Sequence, residues 1–262
     1  MRTLRLPLRR PAEQVSPEWA ARHHRSLLVD GVGEEGLARL SAARVLVVGA
    51  GGLGSPVLMY LAAAGVGTLG ICDADVVDQT NLQRQIVHDE ASVGVPKTES
   101  AARRLRAMNS GLKVRTHGWA TSDLLDALAP DYDLVMDCGD SFDATYLLGD
   151  WCAAAGVPLV WGSVVAMSWQ VSVFWSAPDD GGPGVRLRDL YPNQPAPGTT
   201  PSSVQVGVLG PVVGQAGATM ASEAVKLICG LGEPLFGRVA IADARTARHD
   251  VVTFAPHVRS PR

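Results

Sequence analysis

The sequence predicts an α/β fold in three layers, a mostly parallel sheet with helices on both faces and an antiparallel extension at its C-terminal end. Short apolar runs rich in Val alternate with longer segments of helical period, which is how βαβ units and a parallel sheet are written. A glycine cluster, Gly49 to Gly54, stands directly between the first of those runs and the next helix. Two further strand-like segments follow the last helix and close the fold.

Residues 1–16 hold several Arg and two Pro without periodicity and are expected to form a mobile arm. Residues 17–262 are expected to form a single domain, since open α/β sheets of this size often share one core. From Pro17 to Leu40 the pattern is helical but broken at Asp30-Gly31-Val32-Gly33, which predicts two short helices and a turn. Arg44–Gly49 is a nearly unbroken apolar run suited to a strand buried on both faces. A helix is predicted over Ser55–Ala64, then a strand, Thr68–Asp73, that ends in acid. A polar segment leads to a helix over Lys97–Met108. Asp133–Asp137 and Leu159–Gly162 read as short buried strands separated by a helix over Phe142–Ala155, and Trp169–Trp175 reads as another strand. Then Pro and Gly dominate, giving a crossover loop over about residues 176–206, and a loop this long and rich in breakers is either functional or disordered. A helix over Gly210–Gly230 and strands over Arg238–Ala242 and Asp250–Phe254 complete the chain.

The composition, 47% apolar and 19% charged, is that of a soluble globular protein. No stretch offers the roughly 18 consecutive apolar residues of a membrane span. The basic N-terminus has no apolar block behind it, so a secretory signal is not expected and a cytoplasmic location is. A net charge of -3 gives no general attraction to nucleic acid. The four cysteines contain no CxxC pair, which excludes zinc-knuckle spacing and a disulfide framework and suits buried thiols. The six histidines show no metal-ligand spacing.

Gly49-Ala50-Gly51-Gly52-Leu53-Gly54 spells G-x-G-x-x-G between a strand and a helix, where backbone N–H groups can approach a phosphate at the helix N-terminus. Asp73 ends the next strand, about 20 residues on, where a carboxylate can accept hydrogen bonds from a ribose. Strand, glycines, helix and acid in this register predict a Rossmann-like nucleotide site. They leave open which adenine nucleotide it takes, an NAD-dependent oxidoreductase included. Arg84 and Lys97 follow in NLQRQ (81–85) and GVPK (94–97). A dinucleotide whose pyrophosphate already sits on the turn has no use for two more cations, whereas a triphosphate losing pyrophosphate does. Taken singly, either residue reads equally as a solvated surface charge.

With GAGGLGSP (49–56), DADVVDQTNLQRQ (73–85), GVPKTESA (94–101), LVMDCGDS (134–141), VGVLGPVVG (206–214) and EAVKLICGLGEPLFGRV (223–239), the chain resembles the ThiF/MoeB/HesA family of ubiquitin-activating-enzyme-like adenylyltransferases. The resemblance runs from about Arg22 to Val251. It implies that the Gly-Gly C-terminus of a ubiquitin-like sulfur-carrier protein, ThiS-like or MoaD-like, attacks the α-phosphate of ATP with the help of magnesium. Gly49, Gly51, Gly52 and Gly54 would cradle the nucleotide with Gln85, Asp73 would bind the ribose, and Asn81, Arg84 and Lys97 would hold the phosphates. Asp140 would contact magnesium; its competing reading is a helix N-cap before Phe142. Arg22-His23-His24-Arg25 resembles the family's Arg-x-x-Arg, which implies that Arg25 reaches into the ATP site of a partner subunit in a homodimer. Its competing reading is an exposed Arg on an amphipathic helix.

Three departures qualify the resemblance. GVRLRDLYP (184–192) lacks the cysteines that hold structural zinc in many members, so zinc is not expected. Ser203 stands where sulfur-transferring members usually carry Cys, and a hydroxyl cannot form a persulfide. Ser141 and Thr145 also depart from the pattern. These changes keep a second reading open, a scaffold that binds nucleotide or carrier with reduced catalysis.

Overall fold

The computed structural model describes residues 3–10, 13–196, 198–200 and 203–255, with the backbone alone for 203 and 204. Three short helices, α1 (Pro17–Arg22), α2 (His24–Leu27) and α3 (Gly33–Ala42), lead into β1 (Arg44–Val48). There follow α4 (Gly54–Ala64), β2 (Thr68–Cys72), α5 (Lys97–Met108), β3 (Lys113–His117), α6 (Ser122–Leu128), β4 (Leu134–Asp137), α7 (Phe142–Ala155), β5 (Leu159–Val165) and β6 (Ser168–Phe174). Two single-turn helices, α8 (Leu187–Leu190) and α9 (Ser203–Val206), lie in the crossover segment; α10 (Gly210–Cys229), β7 (Arg238–Asp243) and β8 (Arg248–Thr253) end the described fold.

The eight strands form one sheet in the order β3-β2-β1-β4-β5-β6-β7-β8. β3, β2, β1, β4 and β5 pair in parallel, and β5 to β8 pair antiparallel. The Val-rich β1 is buried along its whole length. Its two-residue period sends Val45 and Val47 into the core under α4, α5 and α10, and Leu46 and Val48 into the core under α7. From β1 the chain runs outward through β2 and β3, then returns to place β4 on the other side of β1. That reversal opens a crevice beyond the carboxyl ends of β1 and β4, the place where open α/β sheets bind ligands.

Residues 3–10 depart from the expected mobile arm. Leu4 and Leu6 are each 1% exposed in the main core, and the Leu6 N–H donates to the Leu227 carbonyl at 2.8 Å. The Arg9 N–H donates to Asp133 Oδ1, also at 2.8 Å. Leu4, Leu6 and Leu8 alternate with polar or imino residues, and that two-residue period lets one face bury. The segment Pro17–Leu40 holds three helices where two were expected. β3 and α6 were not anticipated either. Lys-Val-Arg-Thr-His carries no apolar run because β3 is the sheet edge, where charges face solvent and discourage pairing with another chain. α6 buries only Leu125 and is fixed by its cap, Thr121 Oγ1 accepting from the Leu124 N–H at 3.2 Å. Among the described residues, no helix is long and apolar enough to cross a membrane.

Candidate active site

The glycine turn is shaped by two close approaches. Gly49 has φ 97°, and a Cβ there would lie 2.6 Å from the Cys138 carbonyl oxygen, so only glycine lets the end of β1 meet the end of β4. A Cβ on Gly54 would lie 1.9 Å from the Gly49 carbonyl oxygen. Gly51 and Gly52 serve differently. A Cβ on Gly51 would meet nothing nearer than Gln85 Nε2 at 3.6 Å, whereas one on Gly52 would lie 3.0 Å from Val213 Cγ1 and 3.7 Å from Arg84 Cγ. Gly51 thus leaves a cradle between the turn and the segment 81–85, at the N-terminus of α4, where the helix dipole favours an anion, while Gly52 lets the turn pack against α10.

Asp73 closes the cradle from β2. Its Oδ2 accepts the Ala50 N–H at 2.8 Å and its Oδ1 the Asp75 N–H at 2.9 Å. Each oxygen keeps a lone pair for a further donor such as a sugar hydroxyl. Asn81 holds the turn that carries Arg84, its Oδ1 accepting the Asp78 N–H at 3.3 Å. Arg84 Nη1 donates to the Thr80 carbonyl at 3.3 Å, a long bond that a phosphate could replace. Gln85 is buried, and its Oε1 has no partner. A buried acceptor without a donor costs about 1–3 kcal/mol, so this amide beside the turn fits a ligand that brings a hydroxyl or amine.

Lys97 begins α5 and is 7% exposed. Its Nζ donates to Asp75 Oδ2 at 2.8 Å, and that carboxylate is 65% exposed. A lysine is seldom this buried without a partner, and here the partner is free to swing into solvent. His88, which the sequence left without a role, is also buried, with Nε2 2.9 Å from the Ala50 carbonyl oxygen and Nδ1 2.9 Å from Ser100 Oγ. Burial holds its pKa below the ordinary histidine value, against the pull of the Ala50 bond. Its only signal in the sequence was its place, shortly after NLQRQ.

Asp140 is exposed in the loop after β4, past the strand end that abuts Gly49. It is not the cap of α7. Ser141 fills that position, with its Oγ accepting the Ala144 N–H at 3.2 Å. Among the described residues, no group of three or more His, Cys, Asp or Glu could hold a metal ion. Magnesium bound to a nucleotide needs only one or two carboxylates besides phosphate and water, and an exposed Asp140 fits that demand. Thr145 Oγ1 donates to Asp137 Oδ2 at 2.7 Å, and the Gly139 N–H donates to Asp137 Oδ1 at 3.1 Å. The two departures from the family pattern thus have local tasks: Ser141 starts the helix and Thr145 ties down the strand end.

Burial pushes the fully buried Asp137 carboxyl up to about 6, against the pull of Thr145 and the Gly139 N–H. The folded state therefore holds this proton where the unfolded chain, with an ordinary value of 3.8, has released it. Its contribution to stability is complete below pH 3.8 and is lost as pH rises to about 6. At 1.36 kcal/mol per unit the loss is at most about 3 kcal/mol. Asp137→Asn is expected to remove this decline, seen as a flatter urea midpoint between pH 4 and 7. An unchanged slope in the variant would assign the pH dependence to other groups.

Arg25 lies exposed on α2, away from the cradle of its own chain. It makes no hydrogen bond or ion pair among the described residues. The side chain of Ser203 lies outside the described residues. All four cysteines are free and buried, and burial raises every thiol. The structure therefore brings together the glycine turn, Asp73, Asn81, Arg84, Gln85 and Lys97, sets Asp140 across the crevice, and leaves Arg25 outside.

The sequence pattern of the ThiF family matches residues 23–261. Over 259 residues the chain is 47% identical to the probable adenylyltransferase/sulfurtransferase MoeZ of Mycobacterium tuberculosis, covering 98% of this chain and 65% of that protein. It is 40% identical over 242 residues to the sulfur carrier protein adenylyltransferase of Thermus thermophilus, covering 92% and 89%. The crystal structure of Escherichia coli MccB with ATP superposes with a TM-score of 0.75, covering 95% of this chain and 75% of that one. At 22% identity that likeness shows the fold alone.

Proposed function

Because the chain belongs to the ThiF family, we propose that it is an ATP- and magnesium-dependent adenylyltransferase that activates the C-terminal Gly-Gly carboxylate of a ubiquitin-like sulfur-carrier protein. The observation that carries this reading is the buried Lys97, held by an exposed carboxylate that it can give up, on the same crevice as a glycine cradle and Arg84. A dinucleotide leaves those cations without work, and a triphosphate uses them.

In the reaction the carrier carboxylate arrives ionised, so no side chain need act as base. One of its oxygens forms a bond to the α-phosphorus as the bond from that phosphorus to the β-bridging oxygen breaks, giving acyl-adenylate and pyrophosphate. Asp73 accepts from the ribose, Asn81 and Gln85 line the nucleotide, and the peptide N–H groups of Gly51–Gly54, beyond the Ala50 N–H that Asp73 holds, face the phosphates. Lys97 exchanges Asp75 for phosphate oxygen, and with Arg84 offsets the charge that grows on the departing pyrophosphate. Asp140 would hold magnesium, which supplies further positive charge to the same oxygens. Arg25 would complete the site of a second copy in a homodimer, in keeping with its exposure and its lack of a partner among the described residues. Four free buried thiols suit a reducing cytoplasm. With Ser203 in the crossover segment, adenylation can proceed while covalent sulfur transfer through that position cannot.

The test is ATP–pyrophosphate exchange with the purified chain and a Gly-Gly-ending carrier. Exchange should require the carrier and vanish when its terminal glycine is deleted. ATP binding with no exchange for any such carrier would instead make the chain a scaffold.

A further inference from the structure

We propose that His88 is a positioning residue that locks the glycine turn and the helix bearing Lys97 into one phosphate-binding unit. The inference rests on the adenylation reading above. The Ala50 carbonyl can only accept, so the His88 nitrogen facing it, Nε2, must carry hydrogen. In the neutral ring favoured by burial, Nδ1 then accepts from the Ser100 hydroxyl. One tautomer satisfies both ends, and the ring becomes a rigid strut between the turn and α5. Ser100 lies on the first turn of α5, three residues beyond Lys97, so the strut sets where Lys97 starts.

The same strut acts on the turn. The Ala50 N–H is held by Asp73 and its C=O by His88, which fixes the two peptide units that flank Ala50 and so the direction in which the following N–H groups point. A second side-chain route joins these elements, Lys97 to Asp75 with the Asp75 N–H on Asp73. That route opens when Lys97 leaves Asp75 for phosphate. The His88 route is buried and does not depend on what Lys97 holds, so it keeps the geometry through the reaction.

Carrier-dependent exchange should be measured on the wild type, His88→Ala, His88→Gln, Lys97→Ala and the double variant His88→Ala/Lys97→Ala. His88→Ala is expected to lower kcat/KM for ATP by roughly 10- to 100-fold, since a displacement on the order of 1 Å costs that much. His88→Gln, whose amide nitrogen can reach the Ala50 carbonyl, should recover to within about threefold of wild type. The double variant should lose clearly less than the product of the two single losses, because the part of the strut's effect that acts through Lys97 has nothing left to position. Independently of activity, His88→Ala should speed amide hydrogen exchange over residues 50–54 and 97–101 together, and His88→Gln should not. A folded His88→Ala with kinetics within about twofold of wild type, or additive losses in the double variant, would overturn the proposal. If His88→Ala does not fold, Ser100→Ala decides: it should speed amide exchange over residues 97–101, and a folded Ser100→Ala with amide exchange and kinetics both unchanged from wild type refutes the proposal. A wild type that neither binds ATP nor exchanges pyrophosphate refutes the adenylation reading, and the hydrogen-exchange pattern still decides this one.

Discussion

Lys97→Ala is expected to cut carrier-dependent ATP–pyrophosphate exchange by roughly 10²- to 10³-fold, the size of losing one preorganised charge from a transition state. The ammonium is nearly buried, and its one recorded side-chain partner is Asp75. Removing it also leaves that carboxylate beside the phosphates, where it repels them. The fold should survive, because Asp75 is 65% exposed and its carboxylate stays hydrated without the lysine. Thermal unfolding and exchange measured on one preparation check both halves. Undiminished exchange in a folded variant would remove Lys97 from the site and with it the triphosphate reading.

Gly54→Ala is expected to destabilise the chain by about 3 kcal/mol or more and to abolish ATP binding, because its methyl group would sit 1.9 Å from a backbone oxygen that cannot move without breaking the turn. Gly51→Ala provides the contrast. Its methyl group would meet nothing closer than Gln85 Nε2 at 3.6 Å, so the unfolding midpoint should hold while ATP affinity falls about tenfold or more as the cradle fills. Denaturation and calorimetric ATP binding on the two variants separate a glycine needed for packing from one needed for approach. Equal loss of stability in both would mean that the cradle is no more open than the rest of the turn.

The parts of the fold legible in the sequence are those where local pattern and tertiary role agree. β1, the glycine turn and α4 are contiguous, apolar and punctuated by residues whose backbone demands are specific, so the residues 44–64 read directly. β3 and α6 bury too little for a periodic signal, and their existence depends on neighbours far along the chain. The burial of Leu4 and Leu6 was hidden for a similar reason: the carbonyl that accepts the Leu6 N–H, on Leu227, is far distant in sequence. Within the candidate site, Asp73 stood out by its spacing from the glycines, which suits a ribose, and Arg84 and Lys97 by charges that suit phosphate. His88 did not, since a lone histidine has no meaning until the fold brings Ala50 and Ser100 to its two nitrogens. That Ser141 and not Asp140 caps α7 is a one-residue shift that only the hydrogen bond to Ser141 shows.

Cys72, Cys152 and Cys229 lie on strands and helices that face the two cores and Cys138 lies just past the end of β4, and burial pushes Cys72 up to about 12 and Cys229 up to about 11. Maleimides react with thiolate, so the native chain offers them almost none. A single cysteine introduced at an exposed position such as Val206, 47% exposed in the crossover segment, would take a fluorophore alone. The wild-type background is thus already suited to following that segment by dye emission while a carrier tail arrives.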